Sequence, residues 1–306
     1  MSIFGDGVFQ YGGQPVGALD ILPKKNVLFV CKSSDTYYET FQNRFQHTAY
    51  EGNIAGFYAT LTAAVAAAQD HDMIQILPGI YDEGAEVVIS QKYLWIRGAN
   101  SSGICWGPCS LKQSSANHHI LSIQADGVQI SNLGFIQNGA YRSIEIDHTA
   151  AVYKTHIHDC HFGGSATATY GVYAGGTFDA VDTVIENCEF LNYATAGVRL
   201  NATRSKVRNC LFMVPASGIG IEYVPGGSDR GYSLIANNYV HGSNSSDTGI
   251  KFTGAPDAGA SAVMCVNNFV AGCATSITAT ANGEYNALNN YIPANTGAIT
   301  VVDTDS

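Results

Sequence analysis

Val184–Phe190 reads VIENCEF, and the chain says nearly the same thing at His156–Phe162 (HIHDCHF) and at Lys206–Phe212 (KVRNCLF). With the Asn or Asp as anchor, the series runs Asn132, Asp159, Asn187, Asn209, Asn237, Asn267 and Asn289, in steps of 27, 28, 22, 28, 30 and 22 residues. One position on stand Leu133, Cys160, Cys188, Cys210, Asn238, Asn268 and Asn290. Two further come Phe135, Phe162, Phe190, Phe212, Val240, Val270 and Ile292. Two before the anchor are Ile130, Ile157, Ile185, Val207, Ile235, Cys265 and Ala287. A period of this length, held at four positions while the residues between them vary, marks a repeat architecture.

A second short strand follows each anchor: SIEI (Ser143–Ile146), GVYA (Gly171–Ala174), GVRL (Gly197–Leu200), GIGI (Gly218–Ile221), GIKF (Gly249–Phe252), SITA (Ser276–Ala279) and GAIT (Gly297–Thr300). Each alternates with period two and begins on a small residue, which is strand patterning with turn chemistry at its start. A unit of two or three short strands cannot bury its own apolar face, so such units stack into one continuous core. Coils about 4.8 Å apart place equivalent residues in columns. Phe then stacks on Phe and Cys on Cys, and the anchor Asn residues are expected to form an amide column while supplying the bend between strands. After residue 235 the aromatic comes one place earlier, in ANNYV, VNNFV and LNNYI. Either Tyr239, Phe269 and Tyr291 point outward or the anchor moves by one, and the pattern leaves both open.

These residues resemble the right-handed parallel β-helix proteins of the pectate-lyase-like superfamily, over roughly residues 57–302. The segment Phe57–Glu83, with its Ala-rich stretch and PGIYDE at Pro78–Glu83, strengthens the likeness. Leu61, Ala64, Val65 and Ala68 form one face of a short helix able to plug the first coil. The fold implied is all-β: a right-handed parallel β-helix solenoid of about eight or nine coils with an N-terminal capping helix. Residues 57–306 are expected to make this domain. Residues 1–56 carry many aromatics and no coil repeat, and are expected to be an arm or attachment segment.

Among the 306 residues only 13% are charged, and the net charge is −10. That balance excludes the basic footprint of a nucleic-acid binder. No run of 18 apolar residues offers a membrane span, and MSIFGDGVFQ has no signal-peptide pattern, so a protein made in a cytoplasm is expected. The eight cysteines are expected to be reduced, those of the repeat as small buried apolar groups.

Hydrolysis of a polysaccharide on such a scaffold needs two carboxylates about 5–10 Å apart, and a calcium-dependent lyase needs an acidic cluster with a basic residue. The outward columns read Ser131, His158, Glu186, Arg208, Ala236; then Gly134, His161, Glu189, Leu211; then Glu145, Tyr173, Arg199, Gly220, Lys251, Thr278. None holds adjacent carboxylates. Glu186 and Glu189 with His158 and His161 come nearest to a catalytic group, although Glu186 between His158 and Arg208 reads equally as a surface charge ladder. Other motifs are weaker. HGSNSSDTGIK (His241–Lys251) has elements of a polygalacturonase without the paired aspartates, and GGS (Gly226–Ser228) lacks a phosphate-binding context. CWGPC (Cys105–Cys109) with His118 and His119, and the cluster His148, His156, His158, His161, offer zinc-ligand types, but loop thiols and surface histidines account for them too. No cofactor or resident metal is expected.

The sequence therefore favours a non-enzymatic structural protein of a virus particle, resembling phage capsid-decoration or spike proteins. The alternative is a polysaccharide-binding or polysaccharide-cleaving β-helix of the tailspike kind. The partners implied are further copies of the chain (a trimer by that resemblance), other virion proteins through residues 1–56, and a glycan under the alternative. Neither nucleic acid nor membrane is among them. The resemblance places the chain in the virion.

Overall fold

The computed structural model describes residues 9–11, 14–16, 26–32, 54–99, 109–114, 118–146, 151–175, 180–225, 233–243, 245–253, 263–279, 285–293 and 299–300. Within them the chain winds as a right-handed parallel β-helix with three long sheets, and every strand pair in those sheets is parallel. The first sheet runs from Ile54–Tyr58 and Val27–Val30 through Met73–Ile76 to Tyr285–Leu288. The second extends from Gly79–Asp82 to Phe269–Ala271, and the third from Val87–Ile89 to Ile299–Thr300. Among the described residues no helix is long and apolar enough to cross a membrane.

The anchors sit at the corner between the first and second sheets. All seven are left-handed, with φ of 55° at Asn132, 54° at Asp159, 53° at Asn187, 55° at Asn209, Asn237 and Asn267, and 54° at Asn289. Asn and Asp tolerate that conformation better than other residues with a Cβ. They act through backbone geometry, and from Asp159 onward their side chains face solvent, so the amide column expected of them does not form. It forms one place later. Asn238 Nδ2 donates to Asn268 Oδ1 (2.9 Å), and Asn268 Nδ2 to Asn290 Oδ1 (2.9 Å). The same amides close on the backbone carbonyls of Val207 and Ile235. This interior ladder replaces Cys160, Cys188 and Cys210, which are buried free thiols.

The phenylalanine column stands as expected. Ring centroids are 4.7, 4.6 and 4.9 Å apart from Phe135 through Phe162 and Phe190 to Phe212, and the rings are nearly parallel. It also explains the small residues that begin the third-sheet strands. A Cβ at Gly197 would lie 2.7 Å from the Phe212 ring, and one at Gly171 2.6 Å from the Phe190 ring. The open question of the aromatic shift resolves too: the anchor stays at Asn237, Asn267 and Asn289, and Tyr239 and Tyr291 face outward.

Two registers are corrected. Gly218–Ile221 was expected to pair as GIGI, but Ile221 stands level with Val198 and Ile250, so the strand reads GIEY, Gly220–Tyr223. Alternation continues unbroken through both candidates, so period two alone cannot separate registers two residues apart. GAIT moves as well: Ile299, rather than Ala298, pairs with Ile277.

The helix Leu61–Ala67 (α1) buries Leu61, Ala64 and Val65 as expected, with Ala68 beside them. Thr60 caps it. The PGIYDE motif supplies the rest: Glu83 accepts from Leu61 N (2.8 Å), Thr62 N (3.2 Å) and Thr62 Oγ1 (2.6 Å). Its carboxylate thus satisfies amide donors that a helix start leaves open. The stack begins earlier than residue 57. Val27–Val30 pairs with Met73–Ile76, with Leu28 and Val30 fully buried, so part of the expected arm belongs to the β-helix core. The rest of that segment, apart from residues 9–11, 14–16, 26, 31–32 and 54–56, lies outside the described residues, as do 254–262 and 301–306.

Candidate functional site

Glu186 and Glu189 flank the left-handed Asn187, so they leave the helix from different sheets: Glu186 from the first and Glu189 from the second. Glu186 has both oxygens engaged. Oε1 lies 2.8 Å from His156 Nε2, while Arg208 Nε and Nη2 each approach Oε2 at 2.6 Å. His158, level with Glu186 on the neighbouring strand, turns instead to Asp159 (2.7 Å). The expected pairing of His158 with Glu186 is thus replaced by His156, two residues earlier on the same face. His161 Nδ1 meets Glu189 Oε2 at 2.8 Å. Four candidate residues therefore resolve into two ladders on adjoining sheets.

The electrostatics of the first ladder run against acid–base work near neutral pH. Burial disfavours the Glu186 charge, but Arg208 and His156 outweigh it and hold the carboxyl below its ordinary value. Burial is also the leading influence on His156, lowering its pKa by disfavouring the charged imidazolium. A general acid or base needs a pKa near the working pH, and Glu186 is moved away from it.

Sequence reasoning missed a richer face on the third sheet. The corrected register puts Glu222, not Gly220, in the outward column Glu145, Tyr173, Arg199, Glu222, Lys251, Thr278. Glu145 and Glu222 are almost fully buried. His119 Nε2 lies 2.6 Å from Glu145 Oε2, and Arg142 pairs with the other oxygen. The Arg142 guanidinium covers the Tyr173 ring at 3.5 Å from its centroid. Arg199 donates to Tyr170 Oη (3.4 Å) and lies 3.6 Å from Glu222, which also accepts from Thr253 Oγ1 (3.1 Å). Only the strand register joins these residues, since they come from separate coils. Glu145 and Glu222 are three strands apart, about 14 Å at the usual strand spacing, too far for a glycosidase pair.

Among the described residues no three His, Cys, Asp or Glu side chains stand together as a metal site. Cys109 is buried against Ile76 O, and His119 is committed to Glu145. Cys105 and His148 lie outside the described residues. Three repeat thiols are fully enclosed; burial pushes Cys188 and Cys210 well above the ordinary thiol range, as unreactive as apolar groups.

No protein-family model matches the chain, and no curated protein matches it by sequence. Solved structures do match. The pectin methylesterase of Aspergillus niger is 11% identical with a TM-score of 0.57, over 90% of this chain and 87% of that one. Pectin methylesterase PemA of Erwinia chrysanthemi is 12% identical (TM-score 0.57, 92% of each chain). The rice weevil pectin methylesterase is 13% identical (TM-score 0.56, 86% of this chain and 96% of that one). At these identities the likeness is one of fold, the right-handed parallel β-helix.

Proposed function

We propose that this chain is a non-enzymatic structural protein of a virus particle, a β-helix that works through its outer surfaces. The observation that carries the reading is the closure of its outward charge ladders. Glu186 is held by His156 and Arg208, Glu189 by His161, and Glu145 by His119 and Arg142. Each carboxylate is spent on a neighbouring coil, the arrangement of a scaffold. The low charge and the aromatic-rich first 56 residues support the same reading. Immunogold electron microscopy with an antibody to the chain should label particles from the source culture. Unlabelled particles, with the chain recovered only in the soluble fraction, would count against it.

The face around Arg142, Tyr173 and Arg199 favours a second reading, a glycan-binding module. Aromatic rings beside guanidinium and carboxylate groups fixed by their own pairs suit sugar hydroxyls. A binding and cleavage screen on polysaccharides separates the two. The structural reading expects no reducing ends or unsaturated products. Cleavage lost on Glu186→Gln or Glu222→Gln would replace it with an enzymatic one.

A further inference from the structure

We propose that the apolar corner of the last coils, built by Tyr239, Met264, Val266, Phe269, Leu288 and Tyr291, is where a second copy of this chain packs side by side. Three outward columns change character along the axis. The column of Ser131, His158, Glu186 and Arg208 continues as Ala236, Val266 and Leu288. That of His161 and Glu189 continues as Leu211, Tyr239, Phe269 and Tyr291. A third goes from His156, Val184 and Lys206 to Leu234 and Met264. Of the inward columns, Cys210 gives way to the amides of Asn238 and Asn268, while those ending in Ile235 and Cys265 and in Val240 and Val270 stay apolar; core packing does not require the outward side chains to change.

The surface is exposed: Tyr239 43%, Met264 42%, Leu288 54% and Tyr291 60%. With their half-buried neighbours these side chains present roughly 500 Å² of apolar area, at the upper end of the largest patch a monomer usually shows. A standard interface takes about 800 Å² from each partner, a difference that the exposed Asn237, Asn267 and Asn289 at the same corner help to fill.

Two observations select the occupant. Tyr239, Phe269 and Tyr291 stack on one another at 4.8 and 5.1 Å, so both faces of Phe269 and one face each of Tyr239 and Tyr291 are taken, and the ring edges repeat along the axis. A sugar ring stacks on an aromatic face, which favours a protein partner over a glycan here. Edges repeating at that spacing are matched by a surface with the same period, and another copy of the chain always has it. Charge agrees. Copies with a net charge of −10 repel one another, and no Asp, Glu, Lys or Arg interrupts the described outward positions of these columns beyond Arg208.

Sedimentation equilibrium of the full chain over about 1–100 µM should show mass rising above 32.4 kDa with concentration. The double variant Tyr239→Asp, Leu288→Asp should remain at monomer mass throughout, while Val88→Asp, on an exposed third-sheet position away from the corner, should associate as wild type does. Should the double variant not fold, peroxide oxidation of the wild type gives a second reading. Met264, about two-fifths exposed, should oxidise at least fivefold more slowly at the associating concentration than at the dilute one. A wild type monomeric at 100 µM, an association that survives the double substitution, or an unchanged Met264 rate in an associated sample overturns the proposal.

Discussion

Phe190 has rings stacked on both sides, Phe162 at 4.6 Å and Phe212 at 4.9 Å, and is about 1% exposed. Removing it opens a cavity that rigid sheets on either side cannot close. Phe190→Ala should cost about 3–5 kcal/mol in urea unfolding; an unchanged midpoint would mean the column bears no weight. The reverse experiment adds a methyl where none fits. Gly197→Ala pushes a Cβ against the Phe212 ring and Gly220 O, and overpacking of this kind should cost about 1–3 kcal/mol. In a Phe212→Leu background that cost should shrink; a cost of the same size there would locate the strain in the backbone instead. Phe190 and Phe212 are legible from spacing alone. That Gly197 is their counterpart across the core is not, because nothing in the sequence states which column faces which.

The start of the capping helix is tied to the first coil through the Glu83 carboxylate. Glu83 is buried and accepts three hydrogen bonds from the first turn of α1. Glu83→Ala leaves those donors unmet and removes a negative charge from the positive end of the helix, a loss of about 1–2 kcal/mol. Hydrogen exchange should quicken first in Leu61–Ala67 and the strand Val27–Val30 it covers, with the coils around Phe190 protected as before. Uniform quickening along the whole stack would contradict a local role. The helix and its apolar face were readable from Leu61, Ala64, Val65 and Ala68; its tie to Glu83 was not, since the partners are 22 residues apart.

At the scale of the whole molecule, acid should loosen the stack in two stages. Glu186 is held below its ordinary value of 4.5 and His156 below 6.5. In both cases the unfolded chain binds protons more readily than the folded one, so stability is full above about pH 6.5. It should fall as pH drops through the ordinary histidine value, and again below about 4.5. Melting temperatures from pH 8 to 3 should show both steps in wild type and a weaker second step in Glu186→Gln; identical acid limbs would remove Glu186 from the account. Truncation tests the boundary at the other end. Deleting residues 1–25 should leave the melting temperature nearly unchanged, whereas deleting 1–56 removes the buried Leu28 and Val30 and should lower it by several degrees. Equal effects would place the core boundary where the repeat alone puts it.

The sequence by itself determined the coil. The left-handed bend at Asn132 through Asn289, the Phe and Cys columns and the period-two strands are local requirements, written once per turn and legible because a solenoid repeats its local physics. Tertiary structure decided whatever depends on register between coils. It moved Glu222 into the outward column of Arg199, turned Glu186 to His156 rather than His158, carried the amide ladder to Asn238, Asn268 and Asn290, and drew Val27–Val30 into the stack. Parallel strands joined by connections of unequal length leave that register free in the sequence. It is fixed only when every side chain of one coil has found its place on the next.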